Sequence, residues 1–216
     1  MPRLVHEFEV ENPVDGPTIG PAILKKNLYY GVAKDVPFDT DELNSLDIVA
    51  RHILAYKFTI VHNEEAGNRV DPVLHSLRDR ETVACVMVND GHLLVAHNFK
   101  FRDADTNRIP FELATAKTVE AMKAEGLRIK TYAAVPFYIA KRKKDFHAEM
   151  QLLEYVSDNA MSIQGGVIGV SKPCCDDCAR TLTSMGIDFS FRAGVAIGDW
   201  QPPKCTHVAK TTSLIL

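Results

Sequence analysis

At 216 residues, with 46% hydrophobic and 25% charged side chains, the chain can bury one substantial core and is not of disordered or fibrous composition. A formal net charge of −3 argues against avid, nonspecific nucleic-acid binding, and no apolar run is long enough to cross a bilayer. Charge is nonetheless uneven. Residues 1–50 carry 4 basic against 9 acidic side chains, whereas residues 101–150 carry 10 against 7. The latter include the run Lys141-Arg142-Lys143-Lys144, which reads either as a solvated loop or as an attractor of phosphates. Met1 to Val10 lacks the basic-then-apolar order of a secretory signal, so a cytoplasmic location is expected. An effector secreted by a signal-less route would look the same.

Residues 1–38, with Pro13, Pro17, Pro21 and Pro37, read as irregular structure. Asp39 and Glu42 form a capping-box pattern that opens an amphipathic helix with Leu46, Val49, Ala50, Ile53 and Leu54 on one face. A shorter helix is expected over about 71–79. Thr82–Val88 and Leu93–Ala96 are apolar strands joined through Asn89-Asp90-Gly91-His92, a hairpin turn signal. A loop over 99–112, a helix from about Pro110 to Glu125, and a short strand within Ile129–Ile139 follow. Asp145 is a credible N-cap for a helix over Phe146–Asn159. Gly165–Ser171 reads as a strand, and Pro173 or Cys174 opens another helix that stops before Gly186. Asp188–Phe191 and Gly194–Ile197 read as further short strands. Alternating strands and helices in the second half predict an α/β sandwich on a mixed sheet. Residues 1–60 are expected to form an N-terminal extension on a domain spanning 61–216.

Five cysteines occur, Cys85, Cys174, Cys175, Cys178 and Cys205, three of them within five positions. That clustering suits a metal better than a disulfide framework. Zinc takes nitrogen and sulfur ligands, and a catalytic zinc keeps one tetrahedral position for water. His147, Cys175 and Cys178 supply three ligands, the two cysteines at a spacing that puts both sulfurs on one side of a helix start. Pro173 directly precedes Cys174, so Cys174 with Cys178 stays open as the alternative pair, Cys175 being favoured. Glu149, two residues after His147 in the same first turn, is placed to carry protons between water and a leaving amine. Cys205 and His207 lack convergent partners and read as an ordinary tail. Trp200, Phe137 and Tyr138 read equally as core plugs or as stacking groups.

His147-Ala148-Glu149, followed 28 residues on by the Cys175-x-x-Cys178 helix start with a strand between, resembles the cytidine deaminase-like superfamily. The wording HAEMQLLEYV…IGVSKPCCDDC is similar to a branch linked to bacterial toxins and also found in fungi. The resemblance implies a three-layer α-β-α sandwich with helices on both faces of the sheet. It implies a Zn2+ cofactor and hydrolytic deamination of an amino-nucleobase, cytosine-type favoured over adenine-type. The substrate would be a nucleoside, a nucleotide or single-stranded nucleic acid, with no membrane partner and an oligomer possible. It also implies that Asn98, at the end of the second strand, binds substrate, with His97 flanking the pocket. A catalytically inactive zinc module that binds nucleic acid or a protein partner is the competing expectation.

Overall fold

The computed structural model describes residues 43–65, 82–89, 91–98, 104–135, 146–190, 192 and 200–212. In chain order they form α1 (Ser45–Glu65), β1 (Val83–Val88), β2 (His92–His97), α2 (Ala104–Ala124), β3 (Thr131–Ala134), α3 (Ala148–Asp158), β4 (Ser162–Val170), α4 (Asp176–Ser184) and β5 (Ala209–Thr211). The expectations for 71–79, Asp145, the basic run 141–144, Phe137, Tyr138 and Gly194–Ile197 lie outside these residues. No described helix is long and apolar enough to cross a membrane.

The sheet has the order β3-β2-β1-β4-β5. β1 pairs antiparallel with both β2 and β4, while β3 and β5 join parallel at the edges. It is therefore mixed, as expected. β1 is buried along its whole length, because helices cover both faces of the sheet. Strand alternation divides the core in two. Val83, Cys85, Met87, Leu93 and Val95 point to α1 and α2, where Leu46, Ile53, Phe111 and Met122 meet them. Ala84, Val86, Val88, Leu94 and Ala96 point to α3 and α4, against Met150, Leu152, Val156 and Leu182. The result is the three-layer α-β-α sandwich.

All five apolar positions read as the inner face of α1 are fully buried. The cap, however, sits further on than Asp39. Asn44 Oδ1 accepts from Asp47 N at 2.9 Å and Asp47 Oδ2 accepts from Asn44 N at 3.1 Å, a reciprocal pair that satisfies two helix-start donors. Residue 60 falls inside α1, so this helix spans the boundary between the expected extension and domain. The second helix, α2, starts at Ala104 and not near Pro110. Asp188 makes only a single parallel bridge to Val167 in place of a strand. The tail instead supplies β5, whose three residues are exposed and carry no apolar signal.

Two features fix β4. Gly165 and Gly166 adopt positive φ (65° and 62°) where the register against β1 slips, which bends the strand. At Gly169, α1 lies directly on the backbone: an added Cβ would fall 2.1 Å from the Leu46 carbonyl carbon. Gly169→Ala is therefore expected to displace α1 and cost at least the roughly 1–3 kcal/mol typical of overpacking. Unfolding in urea reads this, and unchanged stability would refute the close approach.

Two buried histidines have depressed pKa values. Burial lowers His52, on α1, to about 4, and neither of its ring nitrogens has a hydrogen-bond partner among the described residues. Burial, with the nearby Lys57 charge, lowers His97 to about 3. Between those values and the ordinary 6.5, the unfolded chain binds protons that the folded chain does not. Their stabilising effect is thus complete above pH 6.5 and lost as pH falls. Each group contributes a slope of up to about 1.4 kcal/mol per pH unit. Asp47 and Glu149, raised by burial, act in the opposite sense. Comparing wild type with His52→Leu and His97→Leu cancels that contribution. Each variant is expected to lose stability less steeply between pH 6 and 4.5, and identical slopes would sink the assignment.

Candidate metal and catalytic site

Two helix starts build the site. α3 precedes β4 through a tight turn at Ala160 (φ 51°), and α4 follows β4 directly, so both helices open near the Val170 end of that strand. His147 is the N-cap of α3 with extended backbone (φ −66°, ψ 153°), and Cys175 holds the same position on α4 (φ −62°, ψ 162°). Gln151 N donates to His147 O at 3.0 Å and Ala179 N to Cys175 O at 2.9 Å, the first bonds of each helix. The sequence placed the start of α3 two residues early, at about Phe146. Phe146 is instead a buried anchor ahead of the cap.

His147 Nδ1 lies 3.5 Å from Cys175 Sγ and 3.3 Å from Cys178 Sγ. These three ligand atoms lie within 4.8 Å of one another, and all three residues are buried. Zinc–nitrogen bonds near 2.0 Å and zinc–sulfur bonds near 2.3 Å, at tetrahedral angles, require nitrogen–sulfur edges of about 3.5 Å. The cluster fits a metal ion with three protein ligands and one open position. Cys178 N donates to Cys175 Sγ at 3.4 Å, and Trp200 Nε1 donates to Cys178 Sγ at 3.3 Å. The Cys178 thiol donates to Cys175, which lowers the pKa of Cys175 and raises that of Cys178.

Cys174 takes another direction. It is buried and its thiol hydrogen-bonds the Glu149 carboxyl, so the geometry brings Cys175, and not Cys174, into the cluster. Glu149 is itself buried, and its Oε2 has no hydrogen-bond partner among the described residues. Burial pushes its pKa above the ordinary glutamate range, while the neighbouring His147 charge pulls the other way.

Asn98 closes the β2 end of the hairpin, its Oδ1 accepting from Thr82 N at 2.6 Å. His97 belongs to the opposite layer: its ring meets Phe111 of α2 with centroids 4.2 Å apart. The structure does not bring His97 to the metal cluster. Gln151 was missed in the sequence. Its Nε2 donates to Phe146 O (2.9 Å) and His97 O (3.0 Å), tying the entry of α3 to the end of β2. A polar residue inside Met150-Gln151-Leu152-Leu153 was the available signal.

A mixed sheet between two helical layers, with His-x-Glu and Cys-x-x-Cys on two converging helix starts, is similar to the arrangement expected of a cytidine deaminase-like domain. Residues 146–204 match a family model described as "OTT_1508_deam:-like deaminase", a deaminase family of the cytidine deaminase-like superfamily. That stretch runs from the entry of α3 through β4 and α4 to just past Trp200. No curated protein and no solved structure matched the chain.

Cys175→Ala and Cys178→Ala are expected to purify with almost no metal, whereas Cys174→Ala keeps the wild-type metal content, because its sulfur is directed at Glu149. Elemental analysis of the three proteins checks this, and metal loss in Cys174→Ala alone would reverse the ligand assignment.

Proposed function

We propose that this protein is a zinc-dependent hydrolytic deaminase. It converts an amino-nucleobase, cytosine-type by preference, to its keto form with release of ammonia, in a nucleotide or single-stranded nucleic acid. One observation carries the reading: a buried carboxylate oxygen, Glu149 Oε2, is left without a partner beside a buried His–Cys–Cys cluster. Such an oxygen costs about 1–3 kcal/mol of unrecovered solvation, and more if charged. A polar group retained at that cost in a cluster of ligand type points to chemistry. The deaminase match over the same residues supports it.

His147, Cys175 and Cys178 would hold the ion, and zinc supplies Lewis acidity that makes water a nucleophile near neutral pH. Glu149 accepts a proton from that water on Oε2 and delivers it to the departing amine. One water enters and one ammonia leaves. The raised pKa of Glu149 suits this exchange, because it lets the group both take and give a proton. Cys174 neighbours the same carboxyl, and Oε2 is the oxygen without a hydrogen-bond partner among the described residues. Asn98 is assigned to the polar edge of the base, its amide orientation set by Thr82 N. A closed structural zinc would use a fourth protein ligand and have no need of a buried carboxylate.

Glu149→Gln is expected to keep its metal and lower kcat by about 10²–10⁴-fold. Zinc-loaded wild type, incubated with cytidine, dCMP, adenosine and single-stranded DNA or RNA, should release ammonia from a cytosine substrate. Inosine alone would shift the assignment to adenine. No turnover on the whole panel, with a cellular effect that survives Glu149→Gln, would make this a zinc-bearing binding module.

A further inference from the structure

The tail after residue 199 is fastened to α3 and to the edge of the sheet by contacts that the deaminase reading does not use. Lys204 N donates to Glu154 Oε2 at 3.1 Å, Cys205 Sγ donates to Leu153 O at 3.5 Å, and β5 adds to the sheet edge beside β4. These contacts tie the segment to α3 and to the strand that ends at the cysteine helix. At its head stands Trp200, partly buried against the apolar core, with its indole N–H on Cys178 Sγ at 3.3 Å.

Each sulfur of the cluster thereby has one N–H donor. For Cys175 it is the Cys178 backbone amide, a group that the start of α4 supplies by its own geometry. Cys178 is the third residue of α4, and its own amide is the one given to Cys175. Its donor comes from the far end of the chain. Two thiolates and a carboxylate buried together carry more negative charge than a divalent ion cancels, so donors aimed at the sulfurs offset a real cost.

We propose that Trp200 is a positioning residue of the metal centre, its indole N–H holding the Cys178 sulfur in its binding orientation. This rests on the reading of His147, Cys175 and Cys178 as a divalent-metal site.

Trp200 is the only tryptophan in the chain, so it reports on its own surroundings. Titrating the metal-free chain with Co2+ is expected to quench its emission in step with the sulfur-to-cobalt charge-transfer band. Trp200→Phe keeps an aromatic ring against the core and removes the donor with the pyrrole half of the indole. It should bind Co2+ at least about tenfold more weakly. Its charge-transfer band should move to longer wavelength, because a sulfur without its donor gives up electrons more easily. Unchanged affinity and band position in Trp200→Phe would overturn the proposal. So would cobalt binding to the native chain without quenching, a result that decides the matter even if the variant does not fold. Failure of the native chain to bind Co2+ at all would remove the metal site itself, and this inference with it.

Discussion

The convergence of two helix starts at one end of β4 is the constraint on which the rest of the site depends. Because α3 runs back along the strand that follows it and α4 continues from that strand, their first turns meet at Val170. His147 and Cys175 are both N-caps, so each helix turns its unsatisfied amides and its positive dipole end toward the same small volume. That field favours thiolate over thiol, and it lets residues at spacings of two and three point inward together. In mid-helix, His147 and Glu149 would diverge.

The strand that carries both starts is held from the opposite layer. Asp47 Oδ1 accepts from Val170 N at 2.7 Å, and Asn44 Nδ2 donates to Ile168 O at 3.2 Å. Asp47 also receives the Ser190 hydroxyl. The pair that caps α1 thus also fixes the last residues of β4. Gly169 lets the helix come close enough for this, since any side chain there would meet the Leu46 backbone. α1 lies across the sheet from the cluster, yet it sets where the cluster's strand ends.

Local chemistry was legible in the sequence, and partnership at a distance was not. His147, Glu149 and the Cys-x-x-Cys pair are close together in the chain, and helix geometry fixes their directions. The inner face of α1 and the β1–β2 hairpin followed from periodicity and turn residues. β5 could not be found this way. Its three residues are exposed, and it exists as a strand because Ser162 to Gln164 offer an edge. Cys174 against Cys175 turned on one residue of offset at a helix start, where either sulfur could face inward. Glu149 resolves it by occupying the Cys174 side. His97 shows a different limit. Alternation puts it with Leu93 and Val95, but which face holds the site depends on the crossovers, and sequence spacing does not state those.

Charge is also sorted across the sheet. The buried basic side chains Arg51, His52 and Lys57 all lie on α1, beside the buried carboxyl of Asp47. On the other side, Glu149, Cys175 and Cys178 are three acidic groups crowded around the single base His147. Burial lowers Arg51 to about 9, and burial raises Glu149 against the pull of His147, so each layer already strains against its own ionisable groups. The sheet between them is filled with apolar side chains from both faces. Within the α3–α4 layer the deficit of positive charge has to be met locally. Two N–H donors on sulfur and two helix dipoles meet part of it. A divalent ion held by His147, Cys175 and Cys178 would meet the rest and leave Glu149 Oε2 able to exchange a proton.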